Sequence, residues 1–235
     1  MRRLAIIILS LGVLVGAVSA QKKLKPWTEW SEKDALKLLE DSAWAHTQIE
    51  TDTSEMFFSP TSQAGAGASS SRSRQGATNQ ATNVNFHVRL LSAKPVRQAV
   101  ARSIGAKQPG MADALKTFVD RDFSEFIVVA VTYDSTDQRY SGPAMQLFNS
   151  ANTGVLKNNT YLEVKGGARN FLGQYIAPQA DGLGAKFIFP RVVDEKPFVT
   201  PESGELRFYS EFSANIKLNM RFKLSEMTYD GKLEY

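Results

Sequence analysis

Cysteine is absent from this chain and histidine occurs only twice, at His46 and His87, so few side chains are available for covalent or metal chemistry. Thiolate metal sites, cysteine nucleophiles, a lipidated cysteine and disulfide staples are excluded outright. A two-histidine metal site would require His46 and His87 to converge with a carboxylate, and no HExxH spacing exists. His87 falls on the polar side of an alternating segment, where a solvated histidine is the ordinary outcome. Asp134-Ser135-Thr136-Asp137 leaves an apolar strand at the place where von Willebrand A-type adhesion domains carry a D-x-S-x-S metal site. The third position, however, is Gln138, so the last hydroxyl ligand is missing and the stretch reads as a capping turn.

Nucleophilic serine chemistry has no sequence support, because no GxSxG elbow, S-x-x-K dyad or Walker loop is present. Gly65 and Gly67 suggest a phosphate cradle only superficially, since no apolar strand leads in and no helix follows. No catalytic, cofactor-binding or metal-binding residue is therefore assigned, and no cofactor is expected. Two other groups are candidates for binding. Trp27, Trp30 and Trp44, with Phe57 and Phe58, can anchor a partner, or the tryptophans can simply dock a terminal helix onto the domain. Arg207 and Arg221 face each other in a proposed hairpin, a like-charge pair that needs either a bound anion or an acidic neighbour between them.

The elements that must position these residues follow from patterning. Arg2 and Arg3, an apolar block from Leu4 to Val15 and the small residues Val18-Ser19-Ala20 read as a signal peptide over residues 1–20, with the mature chain starting at Gln21. The block is shorter than the roughly 20 residues of a membrane span, so no transmembrane segment is expected in the mature chain. Loss of the two arginines takes the charge balance from 28 basic and 24 acidic residues to 26 and 24, a net of +2, too even for a nucleic-acid footprint. An exported location, periplasmic or extracellular, is the expectation.

Residues 21–60 form an N-terminal Trp-rich segment, in which Ser31 caps a short helix, Asp34 closes a capping box and Trp30 staples against Ala35. The Thr-rich stretch from His46 to Thr51 has strand composition. Residues 61–83 hold no large apolar residue and read as a disordered loop. Residues 84–235 read as an α+β domain. Val84 to Leu90 alternates as a strand with one wet face. Lys94-Pro95 opens a helix with Val96, Ala99, Val100 and Ile104 inside and Arg97, Gln98 and Arg102 outside. Pro109 to Val119 is a second helix, with Met111, Ala114, Leu115, Phe118 and Val119 on its apolar stripe.

Phe126 to Val131 is an unbroken apolar run, hence a strand covered on both faces, parallel to the first if a right-handed crossover joins them. Gly142 to Ser150 reads as a short helix or irregular segment. Strand candidates follow at Tyr161–Val164, Phe171–Ile176 and Lys186–Phe189. A hairpin then pairs Phe208 with Met220, Leu206 with Phe222, Glu211 with Lys217 and Glu205 with Lys223, its loop placing Asn215 in the left-handed region. Met227 to Tyr235 adds an edge strand turning at Asp230-Gly231. The fold class is α+β: a largely antiparallel sheet or β-sandwich with a helix pair on one face and the Trp-rich helix at the N-terminus.

The stretches WTEWSEKDA at 27–35, SAKPVRQA at 92–99, FIFPR at 187–191 and MTYDGKLE at 227–234 together resemble a group of exported bacterial proteins of unassigned activity. The resemblance implies export and one domain spanning the mature chain, and it transfers no site residues. The function expected is a non-catalytic exported interaction module whose partner is a protein or an envelope component. The alternative is a hydrolase-like enzyme with a site built from scattered Asp, Glu and His.

Overall fold

The computed structural model describes residues 25–50, 84–135, 138–213 and 216–235. The signal-like leader, Phe57, Phe58, the 61–83 loop and Asn215 lie outside them. In chain order the elements are α1 (Glu32–Glu40), β1 (Ala45–Glu50), β2 (Val84–Leu90), α2 (Lys94–Lys107), α3 (Ala112–Val119), β3 (Phe126–Ser135), α4 (Gln138–Ser150) and α5 (Thr153–Leu156). There follow β4 (Thr160–Val164), β5 (Arg169–Phe171), β6 (Gln174–Ile176), β7 (Ala185–Pro190), the small hairpin β8 (Val192–Val193) and β9 (Lys196–Pro197), then β10 (Glu205–Glu211), β11 (Lys217–Lys223), β12 (Thr228–Tyr229) and β13 (Lys232–Leu233).

Two sheets carry the α+β fold, a five-stranded one in the order β1-β2-β3-β7-β6 and a four-stranded one in the order β11-β10-β4-β5. β3 is the middle strand of the larger sheet and is buried from Ile127 to Val131. Its Ile127, Val129 and Val131 share a face with Phe187 and Phe189 of β7, whose rings meet Phe208 of the smaller sheet at 5.2 and 6.3 Å. Val128 and Ala130 point to the opposite face, beneath α1 and α2. Phe126, the first residue of the apolar run, stays 46% exposed, so the double cover begins one residue later than the run.

β2 and β3 pair antiparallel, not parallel, with Leu90 opposite Val129 and the Ser92 amide donating to Val128 O. One crossover helix would deliver the chain to the far end of the sheet. The pair α2 and α3 returns it to the end it left, which reverses the next strand. α1 packs against α2 and α2 against α3, and together they cover one face of the larger sheet. Ser31 caps α1 as its sequence predicts, accepting from the Asp34 amide at 3.0 Å and donating to the Asp34 carboxylate at 2.6 Å.

Two other departures from the sequence reading matter for the site. Arg97 and Gln98 are buried at 6% exposure, although the α2 stripe puts them outside. Tyr229 reaches across from the tail to donate to Gln98 Oε1 at 2.6 Å, and Val119 at the end of α3 closes over Arg97. Met111, just before α3, and Ala114 on it are exposed, and of the predicted stripe only Leu115 and Val119 are buried, with Phe118 half-buried. The tail does not extend a sheet. It forms its own hairpin, β12 with β13, through Asp230 (φ 49°) and Gly231 (φ 75°), the left-handed pair that an Asp-Gly turn supplies at least strain.

The sandwich is closed along both sides. Phe171 to Ile176 is a corner rather than one strand: Leu172 donates to Thr160 O of the smaller sheet and Gly173 to Ile188 O of the larger. A Cβ at Gly173 would stand 3.3 Å from that Ile188 oxygen, which explains the glycine at the crossing. On the other side the Gln48 amide acts as a short piece of strand, donating to Lys217 O at 2.7 Å and accepting from the Asn219 amide at 2.9 Å. Among the described residues no helix is long and apolar enough to cross a membrane.

Candidate functional site: a basic cavity at the start of helix α2

The aromatic candidates do not form one cluster. Trp27 packs on Ala101, Leu115 and Val119, and Trp30 is half-buried against the main core, its indole N–H on Lys25 O at 2.9 Å. Arg102 of α2 donates to the Trp30 carbonyl. Trp44 is buried elsewhere, donating to Glu234 O at 2.8 Å with the edge of its ring system set against Tyr229. These three pin the N-terminal segment to α2 and to the tail.

Arg207 and Arg221 do stand opposite each other, but each is met by a carboxylate. Glu163 on the neighbouring β4 lies 3.2 Å from Arg207, and Glu205 lies 2.6 Å from Arg221. Asn219 Oδ1 accepts a further bond from Arg207.

His46 and His87 point to opposite faces of the larger sheet, because His87 is cross-strand partner to Thr47 and His46 to Val88. His46 stacks on Phe222 with ring centroids 5.1 Å apart. His87 is half-buried and held at both nitrogens. Nε2 lies 2.5 Å from Asp134 Oδ2 and Nδ1 lies 2.9 Å from Thr47 Oγ1. Burial raises the Asp134 pKa, but hydrogen bonds from His87 and Asn85 and the charge of Arg89 outweigh it and hold the carboxyl below its ordinary value.

The Thr47 hydroxyl also reaches Glu40 O at 3.2 Å, and Arg89 donates to Leu39 O at 2.7 Å and to Thr132 Oγ1 at 2.8 Å. The Ser42 hydroxyl donates to Leu38 O. The last carbonyls of α1, which no helix can satisfy internally, are thus met by Ser42 and, at Leu39 and Glu40, by the sheet, and the histidine chain belongs to that docking. A hydroxyl, an imidazole and a carboxylate in sequence are also the parts of a nucleophile relay.

A cavity of about 460 Å³ opens where α2 begins. Ser92, Lys94 and Arg97 line it from the α2 side, residues 119–124 from the end of α3 and the segment after it, Arg191 from just past β7, and Glu234 and Tyr235 from the tail. Four cations, Lys94, Arg97, Arg121 and Arg191, face three carboxylates, Asp120, Asp122 and Glu234. The carboxylates are partly committed. Asp122 accepts from the Ser124 amide and hydroxyl, which hold its pKa low, and Glu234 accepts from the Lys94 amide at 3.1 Å.

Arg97 donates Nε to Val119 O at 3.0 Å and Nη1 to Ser92 O, and its guanidinium lies 4.7 Å from the centre of the Phe123 ring. Burial lowers its pKa, an effect that the charge of Glu234 opposes. Arg121 covers the same ring at 5.5 Å, and Arg191 stacks on Tyr235 at 4.1 Å while donating to Phe123 O and Tyr235 O. Among the described ion pairs none involves Lys94, Arg97 or Arg121.

Sequence reasoning missed this site because its parts lie far apart along the chain. One signal was present: Arg97, Ala101 and Gly105 fall one turn apart, and small residues in that row mark a packed flank. A Cβ on Gly105 would stand 3.3 Å from Leu115 Cδ1 of α3. A second cavity of about 480 Å³, between Leu39, Val100, Met111, Ala130 and Leu183, has Arg89 as its cation, and Arg89 is already spent on Leu39 O and Thr132. Comparison with known proteins finds no matching family model, no similar curated protein and no similar solved structure.

Proposed function

We propose that the protein is an exported, non-catalytic binding module whose ligand occupies the cavity at the start of α2. The observation that carries this reading is Arg97, a nearly fully buried residue that lines the cavity and whose guanidinium makes no ion pair among the described residues. A buried charge held by two carbonyls and one ring face is costly unless a counter-charge balances it. The cavity's size matches sites for small molecules, and its guanidinium groups, protonated at any working pH, hold and orient a ligand rather than exchange protons with it. Export rests on the leader-like residues 1–20, and the ligand is an envelope or extracellular component.

The second reading, a hydrolase, is favoured by one feature, the Thr47, His87 and Asp134 chain. Its imidazole is held at both nitrogens and its hydroxyl sits against a helix end, which fits docking of α1 better than attack on a substrate. Hydrogen exchange with a small-molecule extract of the native host separates the two readings. Protection of amides 92–98 and 119–124 is the expected result. Turnover of an ester, peptide, phosphate or glycoside that disappears in a folded His87→Asn variant would instead establish the enzyme.

A further inference from the structure

Building on the cavity reading above, we infer that the ligand presents an oxyanion, a carboxylate or a phosphate, to Arg97. The guanidinium has five N–H donors in a rigid fork. Val119 O and Ser92 O take Nε and Nη1, and Nη2 has no protein partner among the described residues, although the residue is only 6% exposed. An oxyanion satisfies such a donor and its charge together, which a neutral ligand cannot do.

The neighbouring groups favour the same occupant. Lys94 and Arg121 bring two more cations to the cavity. Of the three acids that line the cavity, Asp122 is engaged with Ser124 and Glu234 with the Lys94 amide, and their charges and that of Asp120 reach Arg97 without an ion pair among the described residues. The first-turn amides of α2 are also spent: Val96 and Arg97 both donate to Ala93 O, and position 95 is proline. Side chains therefore hold the anion, and the positive end of α2 adds only its field.

The test follows the Arg97 side-chain Nε–Hε resonance in the purified, isotope-labelled protein. Inorganic phosphate and acetate are titrated separately, with sodium chloride keeping the ionic strength constant. A saturable shift with either anion is expected, and the tighter of the two identifies the headgroup class. Lys94→Ala combined with Arg121→Ala touches neither carbonyl that Arg97 holds, so the fold survives, and the affinity should fall by about tenfold or more.

No saturable shift with either anion, or an unchanged affinity in the double variant, would overturn the inference. If the host extract still protected residues 92–98 and 119–124 in that case, the ligand would be something other than an oxyanion and the broader binding reading would stand. Loss of both signals would remove that reading as well.

Discussion

At Arg97 one planar group reaches two carbonyls from different parts of the chain, Ser92 before α2 and Val119 at the end of α3. Lysine keeps the charge but has no fork with which to hold both. Arg97→Lys should therefore leave a buried carbonyl unsatisfied and lower stability by about 1–3 kcal/mol in urea unfolding. Asp134 allows a pH prediction. Its folded pKa lies below the ordinary 3.8, so the stability it contributes is present above 3.8 and is lost as the pH falls through the lower folded value. Asp134→Asn should flatten the acid limb of the melting profile in that range. Because the side chain is more than half exposed, the loss at neutral pH should not exceed about 1 kcal/mol. An unchanged acid limb would show that His87 and Asn85 do not hold this carboxylate.

Among the elements, the β10–β11 hairpin was the most legible, because alternation and cross-strand charge choose the same alignment. Its register is the one read from the sequence, with Phe208 opposite Met220 and Glu211 opposite Lys217. Phe208 is fully buried, so Phe208→Ala should cost about 3–5 kcal/mol. Exchanging the charges of Glu211 and Lys217, 3.6 Å apart and partly exposed, should change stability by less than about 1 kcal/mol. Chemical denaturation of both variants checks the ranking. The Phe171–Ile176 corner was not legible, since six residues of strand composition carry no sign that hydrogen bonding transfers between sheets at Leu172-Gly173. Nor was the role of Gln48, a side chain standing in for backbone. Gln48→Ala should accelerate exchange of the Asn219 amide and cost about 1 kcal/mol. An unaltered exchange rate would mean that the sandwich is closed there by other contacts.

Across the whole molecule, what the sequence reading captured is local: the α1 cap, the doubly covered β3, the β10–β11 hairpin and the α+β class. What it missed depends on contacts between distant segments. The direction of β3 against β2 depends on how a two-helix excursion returns, and the burial of Arg97 and Gln98 depends on a tail more than 130 residues further on, which supplies Tyr229 and Glu234. The candidate cavity is assembled from four such segments, and no window of the chain displays it. A crystal structure of the protein grown with millimolar phosphate and, separately, with a short carboxylate would show whether Arg97 holds an oxyanion. Oxyanion density within hydrogen-bond distance of Arg97 Nη2, with Lys94 or Arg121 turned toward it, is the expected result. An empty cavity with Asp120 or Asp122 swung onto Arg97 would contradict it, because the buried charge would then be balanced from within the chain.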